Sequence, residues 1–223
     1  MTINDVPGLP ESRLSPEYLA ALPADGPPGP WDCRVNLVIW LQRARIRQHG
    51  LAVNWLRPLT PLAGAGFIEY LDSPVGPYHE VFAGALLRQG VRPMLQVPFI
   101  AVDSLPSVRG GRVNWALPKT MASFEGWTAA ARLRATGDGW SVTIRPRRAL
   151  VPGRRGFPIA LRFAAIGPLG QYSLALNVTG RVRVVHTQVT GETLTGWLGS
   201  GRRLAAVLTG RLRISSPHWS PGG

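Results

Sequence analysis

Of the 25 lysine and arginine residues in this chain of 223 residues, only one is a lysine, Lys119. A lysine amine can lose its proton and attack a carbonyl carbon, whereas a guanidinium stays protonated in proteins. Arginine serves a solvated surface as well as lysine does, so the position of Lys119 raises the question of whether an amine is needed there. A compositional bias towards arginine that spared one lysine is the other explanation, and composition alone leaves both open.

The formal net charge of +13 makes nucleic acid the obvious macromolecular partner to consider. The arginines are spread along the chain, however, and their densest groups are not interleaved with aromatic residues as in single-strand binders. We therefore expect a solvated basic surface that suits anionic small substrates, and we do not expect nucleic-acid binding.

The residue types also exclude several classes of site. Cys33 is the single cysteine, so no disulfide can form within the chain, and no Cys/His cluster with metal-ligand spacing indicates a metal site. No phosphate-binding or dinucleotide-binding glycine motif is present, so no cofactor is expected. The first 25 residues lack the pattern of a signal peptide, and no apolar run is long enough to span a membrane, so we expect a cytoplasmic protein.

The chain is predicted to comprise an N-terminal arm over residues 1–30, one domain over 31–215 and a flexible tail over 216–223. In the arm, Ser15 is expected to cap a short helix that is followed by a Pro/Gly linker. In the domain, Asp103 or Ser104 could cap a helix over 105–114, although Gly110 and Gly111 weaken that prediction.

The rest of the domain has the pattern of short strands. Frequent glycine and proline favour strands and turns over long helices, and the run 136–139, Thr-Gly-Asp-Gly, predicts a hairpin. A break is expected near Gly180. The predicted strands cover residues 35–41, 66–71, 79–87, 94–102, 122–135, 140–147, 158–165, 172–189 and 205–214.

Two motifs carry a resemblance to a known family. Residues 76–80 read Gly-Pro-Tyr-His-Glu, and residues 108–119 read Val-Arg-Gly-Gly-Arg-Val-Asn-Trp-Ala-Leu-Pro-Lys. In their order and approximate spacing they resemble the acetoacetate decarboxylase-like superfamily, which has a Tyr-x-Glu segment followed by a Gly-Arg segment that ends in Pro-Lys. With the strand pattern included, the resemblance covers about residues 31–215.

The resemblance implies a mainly β fold, in which a curved antiparallel sheet closes into a cone or barrel with a few peripheral helices, and it implies a homo-oligomer. It gives Lys119 the role of the nucleophile that forms a Schiff base with a small anionic keto acid. Acetoacetate decarboxylase is itself a standard example of a lysine activated in an apolar pocket. The apolar residues on both sides of Lys119 fit that role, because desolvation lowers the pKa of an amine.

The resemblance also indicates further site residues. Glu80 matches the glutamate that manages protons beside the imine. Tyr78 and Trp115 are candidate pocket walls, although a plain core role suits Tyr78 as well. Glu69 lies near a second acidic position of the family, and Arg34 falls where the family places an arginine for the substrate carboxylate.

Two departures from the family pattern limit these expectations. Thr120 stands where the family has a second lysine, and Val113 stands where it has a glutamate after Gly-Arg. The pKa of Lys119 would therefore have to be lowered by desolvation, or by a nearby cation such as Arg112. Relatives with altered polar residues carry out aldol and dehydration chemistry, so decarboxylation is only one of the reactions that the resemblance allows.

Three functions follow from these observations. The first is a lyase that forms an imine through Lys119, by decarboxylation or by aldol and dehydration chemistry, with Glu80 handling protons. The second is a relative that keeps the fold and binds small molecules without catalysis. The third, a basic nucleic-acid binder, is the least supported by the arrangement of the arginines.

Overall fold

The computed structural model describes residues 3–43, 57–89, 91–127, 132–149, 155–164 and 171–218. Strands dominate these residues. They are β1 Trp31–Arg43, β2 Arg57–Asp72, β3 Tyr78–Gln89, β4 Arg92–Val102, β5 Lys119–Met121, β6 Ser123–Glu125, β7 Leu133–Gly137, β8 Trp140–Ala149, β9 Arg155–Ala164, β10 Gln171–Thr190 and β11 Gly201–Ile214. The helices are a 3₁₀ turn Pro10–Ser12, α1 Pro16–Ala20, α2 Leu105–Trp115 and α3 Leu194–Trp197.

The strands form one large sheet in the order β11-β1-β2-β3-β4-β9-β10-β8-β7-β6, with β5 beside β4. The sheet is mostly antiparallel, and β11 pairs with β1 on one edge and β10 on the other. β4 runs parallel to β5. β4 also pairs with β9 in parallel, but at one residue pair, Leu95–Phe163, so the curved sheet is joined between β4 and β9 by a short contact. The predicted mainly β fold with a curved antiparallel sheet is confirmed.

Apolar clusters pack against both faces of the sheet, so its strands carry buried apolar residues on both sides. On β1, Trp31, Val35 and Leu37 belong to one apolar cluster, while Val38 and Trp40 belong to another. Successive side chains of a strand point to opposite faces, so each cluster takes every second residue. The first of these clusters, which also contains Val108 and Trp115 of α2, surrounds the candidate site.

The two predicted helices are confirmed. The Ser15 side chain accepts a hydrogen bond from the Tyr18 amide at the start of α1, and Ser104 caps α2 by accepting from the Ser107 amide. The arm that contains α1 does not stand apart from the sheet. The Leu9 amide donates to the Pro98 carbonyl of β4 at 2.8 Å, which anchors the arm along that strand.

The expected break near Gly180 is wrong, because β10 continues without interruption from Gln171 to Thr190. A Cβ atom at Gly180 would lie 2.1 Å from the carbonyl oxygen of Val207 on β11. Glycine therefore permits close approach of two paired strands at this position and does not end either of them.

The beginning of the predicted flexible tail is hydrogen-bonded to the sheet. The backbones of His218 and Gln171 exchange two hydrogen bonds, and the Ser215 amide donates to the Ser173 carbonyl. Residues 219–223 lie outside the described part of the chain. None of the helices in the described ranges is long and apolar enough to cross a membrane.

Candidate active site

After α2 the chain turns so that the Lys119 side chain lies in the interior. Ala116 ends the helix with a left-handed conformation, φ 51°, and the Leu117 amide donates to the Gly111 carbonyl at 3.0 Å. These contacts close the helix and reverse the chain, as left-handed caps commonly do. Lys119 is the first residue of β5, and it pairs with Ile100 of β4.

The Lys119 amine is buried beside a carboxylate. Lys119 is 3% exposed, and its Nζ donates to Glu80 Oε2 at 2.8 Å and to Ser107 Oγ at 3.0 Å. Glu80, 5% exposed, projects from β3, and Ser107 lies in the first turn of α2. A buried charge is stable only when it is paired and hydrogen-bonded, so three elements combine to hold this amine.

Two tyrosines extend this polar cluster. The Tyr70 hydroxyl donates to Glu80 Oε1 at 3.5 Å, and the rings of Tyr70 and Tyr78 stack with centroids 4.0 Å apart. Lys119 Nζ lies 5.2 Å from the Tyr78 ring centroid. Burial, and then the Glu80 charge, raise the pKa of both phenols well above the usual value, so both stay protonated at neutral pH.

The site opens into a small, largely apolar cavity of about 60 Å³. Apart from Lys119 and Glu80, the described side chains around it are aromatic or aliphatic, and they include Trp31, Ile68, Phe82, Trp115 and Tyr172. Trp31 and Trp115 pack edge to face with centroids 4.9 Å apart. Among the lining residues that the structure describes, Lys119 is the one cation.

Gly110 and Gly111 are the positions at which α2 approaches the site. A Cβ atom at Gly110 would lie 2.5 Å from the Trp31 ring, and one at Gly111 would lie 2.5 Å from Lys119 Cδ. The two glycines therefore leave the space that Trp31 and the lysine side chain occupy. From the sequence, Gly110 and Gly111 only weaken the prediction of a helix. The contact of Ser107 with Lys119 is not predicted by the sequence.

Arg112 holds the backbone around the site and does not face the amine. Its guanidinium donates to the carbonyl oxygens of Lys119 at 2.7 Å, Ile3 at 2.9 Å and Ser12 at 3.1 Å. Burial lowers the pKa of Arg112 to about 10, so it remains charged at neutral pH. Arg112 thus joins the N-terminal arm to the first residue of β5.

Cys33 belongs to the same apolar cluster as Trp31. Its thiol is buried, and this burial raises its pKa to about 12 despite the opposing effect of the Lys119 charge. The thiolate is the reactive form of cysteine, so Cys33 stays inert at neutral pH.

The structure does not bring all the sequence-predicted site residues together. Lys119, Glu80, Tyr78 and Trp115 meet at the cavity or at its wall. Arg34 is exposed on the opposite face of β1 from Trp31, in a surface groove with Asp32, Asp72 and Arg211.

Glu69 is likewise on the face of β2 opposite Ile68 and Tyr70, and it accepts a hydrogen bond from Asn36 Nδ2 at 2.8 Å. Neither Arg34 nor Glu69 lines the lysine cavity. His79 pairs with Asp103 at 2.5 Å and does not line the cavity.

The two departures from the family pattern point away from the amine. Thr120 donates its hydroxyl to the Arg13 carbonyl of the arm at 2.9 Å, and Val113 is 48% exposed on the outside of α2. Within the described residues, no group of three or more His, Cys, Asp or Glu side chains is arranged to hold a metal ion.

Comparison with known proteins shows which family and which solved structures the chain resembles. The acetoacetate decarboxylase family profile matches residues 49–144. No curated protein matches the chain in sequence.

Solved structures share the fold across most of the chain. The acetoacetate decarboxylase of Legionella pneumophila subsp. pneumophila str. Philadelphia 1 has a TM-score of 0.61 at 15% identity, covering 99% of this chain and 98% of that one. The enduracididine biosynthesis enzyme MppR complexed with pyruvate has a TM-score of 0.61 at 16% identity, covering 95% of each chain. An acetoacetate decarboxylase-like enzyme from Sphingomonas wittichii RW1 has a TM-score of 0.57 at 15% identity, covering 87% and 95%.

These similarities rest on a curved sheet that carries the family's sequence profile. The chain resembles the acetoacetate decarboxylase family in sequence over residues 49–144, and it has the fold of the acetoacetate decarboxylase-like structures. At identities this low, the structural likeness concerns the fold, and the chemistry has to be argued from the site itself.

Proposed function

We propose that the protein is a lyase that forms a Schiff base between Lys119 and a small keto acid, with Glu80 as the proton-handling group. One observation supports this above all others. A buried amine and a buried carboxylate lie 2.8 Å apart at the end of a small apolar cavity. A carboxylate within hydrogen-bond distance of an amine is the geometry that general acid–base catalysis requires.

The first step is imine formation. Glu80 takes a proton from Nζ, and the neutral amine attacks the ketone carbon of the substrate. Glu80 then returns the proton to the hydroxyl group of the carbinolamine, which leaves as water. The product is an iminium ion on Lys119, and the carboxylate of Glu80 again faces a positive nitrogen.

The iminium then serves as an electron sink. With a 3-oxo acid such as acetoacetate, the bond to the substrate carboxylate breaks, its electron pair moves through the adjacent carbon to the iminium nitrogen, carbon dioxide leaves and an enamine remains. The apolar lining favours this departure because it solvates a carboxylate poorly. Glu80, protonated again by solvent water, donates a proton to the enamine carbon, and hydrolysis of the resulting iminium by water releases the product and the amine.

With a 2-oxo acid such as pyruvate, the iminium can instead lose a proton from the adjacent carbon to Glu80, and the enamine that forms can attack an aldehyde, which gives aldol and dehydration chemistry. A structure of MppR complexed with the condensation product of pyruvate and imidazole 4-carboxaldehyde illustrates a condensation product bound to a protein of this fold. Both reactions share the lysine imine, so the imine is the part of the proposal to test first.

The test is reductive trapping. Acetoacetate or pyruvate with sodium borohydride should add covalent mass at Lys119, located by peptide mass spectrometry. Lys119→Arg, which keeps the charge but cannot form an imine, should not be labelled.

Glu80→Gln should slow trapping by about 10²–10⁴-fold, the usual contribution of a positioned acid–base group. Tyr70→Phe, which removes a hydroxyl group that contacts Glu80 but keeps the stacked ring, is the matched control. Failure of both oxo acids to label Lys119 in the folded protein would contradict the proposal.

A non-catalytic binding protein is the alternative. One observation favours it: the amine already donates to both Glu80 and Ser107, as in a purely structural ion pair. In that case an oxo acid would bind in calorimetry, and borohydride would trap nothing in either the native protein or Glu80→Gln. The expected homo-oligomer also stays a prediction, which sedimentation measurements can check.

A further inference from the structure

A second, much larger cavity lies next to the lysine cavity. Its volume is about 700 Å³, within the range of small-molecule sites in proteins. Every described residue that lines it is apolar or glycine, with walls from β1, β2, β10 and β11. Many of these residues, such as Leu37 and Leu176, belong to the same apolar cluster as Trp31 and Trp115.

The two cavities share part of their walls. Ile68, Phe82 and Leu174 line both of them. Along β3, Phe82 follows Glu80 on the same face of the strand, so the large cavity begins one side chain beyond the carboxylate. A molecule that reaches Lys119 with its carbonyl group therefore has an apolar space directly beside it.

The large cavity also reaches the surface. Three of its lining residues are exposed large hydrophobic side chains: Leu41 at 58%, Val182 at 41% and Leu204 at 62%. These residues lie on three neighbouring strands, since β11 pairs with both β1 and β10. An exposed apolar cluster at the rim of a concave apolar site is typical of a ligand entrance.

We propose that this cavity binds an apolar tail, alkyl or aryl, of the carbonyl substrate whose keto group reacts at Lys119. The inference rests on the proposed function and extends it by naming the substrate class. Two observations support an apolar tail as the occupant. The cavity adjoins the Lys119 amine, and its described walls offer no hydrogen-bond partner to a polar group. The substrate is then an oxo acid or ketone with a hydrophobic substituent.

Two positions allow the cavity to be filled without touching the lysine site. Ala206 lines the large cavity and not the small one, and a phenylalanine there would occupy the tail space. A Cβ atom at Gly64 would meet only Leu41 and Leu95, at 3.7 and 3.9 Å, which are ordinary contacts. Gly64→Val is therefore a second variant, expected to fold. Ala175→Phe, exposed on β10 in the surface groove with Arg34, is the matched control.

The experiment measures the ketone concentration that gives half-maximal borohydride trapping, with acetone, methyl butyl ketone and methyl octyl ketone. In the native protein that concentration should fall roughly fourfold for each added methylene, as expected for burial of an alkyl chain. Ala206→Phe and Gly64→Val should lose the chain-length dependence and still trap acetone, and Ala175→Phe should behave as the native protein. Octanol, which has no carbonyl group, should bind the native protein and Lys119→Ala alike in calorimetry, and it should not bind Ala206→Phe.

The outcomes separate the two proposals. If acetone is trapped without any chain-length dependence and octanol does not bind, the tail site is overturned while the lysine chemistry stands. If octanol binds but no ketone is trapped, the proposed function fails and the tail assignment fails with it. If Ala206→Phe and Gly64→Val leave trapping unchanged but alter the molecular mass in solution, the cavity is an interface between copies of this chain, and the inference is overturned.

Discussion

Gly111 illustrates how a single residue of α2 determines where the Lys119 amine lies. Alanine in a helix is more stable than glycine by roughly 0.5–1 kcal/mol, so Gly111→Ala is expected to favour the helix itself. Its Cβ atom would, however, stand 2.5 Å from Cδ and 2.7 Å from Cε of Lys119. A lysine side chain can move away at low cost, so the fold should survive while Nζ leaves Glu80.

The expected result for Gly111→Ala is a thermal midpoint no lower than that of the native protein, with borohydride trapping about a hundredfold slower, the loss typical of a 1 Å misplacement. Val113→Ala, an exposed substitution on the same helix, controls for a general effect on α2. Native trapping rates in Gly111→Ala would show that the position of the amine does not depend on this contact.

The sequence brought Lys119 and Glu80 together more successfully than it located the residues around them. The motif around Glu80 and Lys119 led to two residues that are 2.8 Å apart in space and 39 apart in the chain. Arg34 was misplaced because strand position was considered without strand face: it alternates with Trp31 and Cys33, which are buried, and so it points outward. Ser107 could not be identified, because its approach to Lys119 depends on the left-handed turn at Ala116.

At the scale of elements, Arg112 connects the N-terminal arm, α2 and β5. Three backbone carbonyls from these segments accept hydrogen bonds from one planar guanidinium. Arg112→Lys keeps the charge but loses the fork geometry, so at least one buried carbonyl should lose its partner. We expect the free energy of unfolding to fall by about 2–3 kcal/mol.

Limited proteolysis measures the local consequence of Arg112→Lys, because cleavage between residues 3 and 13 should become faster than cleavage within the sheet. Arg109→Lys, on the same helix and only half-buried, should cleave at the native rate. Equal protection of the arm in both variants would contradict a role of Arg112 in holding it.

Glu11 makes a second connection between the arm and the sheet. Its carboxylate accepts from the amides of Thr193 and Leu194 at 2.7 and 2.8 Å, and from the Thr193 hydroxyl, at the start of α3. Partial burial acts to raise the pKa of Glu11, but the hydrogen bonds from Thr193 and Leu194 outweigh it and lower the pKa below 4.5. The ionised form is therefore the one that the folded state prefers.

This preference gives Glu11 a pH-dependent contribution to stability. Because the folded pKa is depressed, the contribution is present above pH 4.5 and is lost as the pH falls through the folded value. Glu11→Gln should be less stable than the native protein by about 1 kcal/mol at neutral pH, and the difference should shrink in acid. Urea titrations at several pH values measure it, and a difference that grows in acid would contradict the assignment. Glu17→Gln, an exposed carboxylate in α1, is the control.

At the scale of the whole molecule, the pairing of β10 with β11 joins two strands that are far apart in the strand order of the sheet. β11 pairs with β1 over ten residues and with β10 over fourteen. The large cavity is bounded by these strands, so the pairing that holds the sheet together also shapes the proposed tail site. Sequence periodicity predicted both strands. It also predicted a break at Gly180, because the sequence of β10 alone does not show that β11 approaches closely at this glycine.

Gly180→Ala tests this linkage. Its Cβ atom would stand 2.1 Å from the Val207 carbonyl oxygen and 2.9 Å from the Leu208 Cα atom, both backbone atoms of β11. Since neither atom can move without separating the strands, we expect a loss of about 3 kcal/mol or more. For a chain of this size, that loss lowers the thermal midpoint by about 10 °C, measurable by calorimetry. Thr179→Ala, exposed on the same strand, should change it little. A native midpoint in Gly180→Ala would mean that β10 and β11 can separate locally without cost to the rest of the sheet.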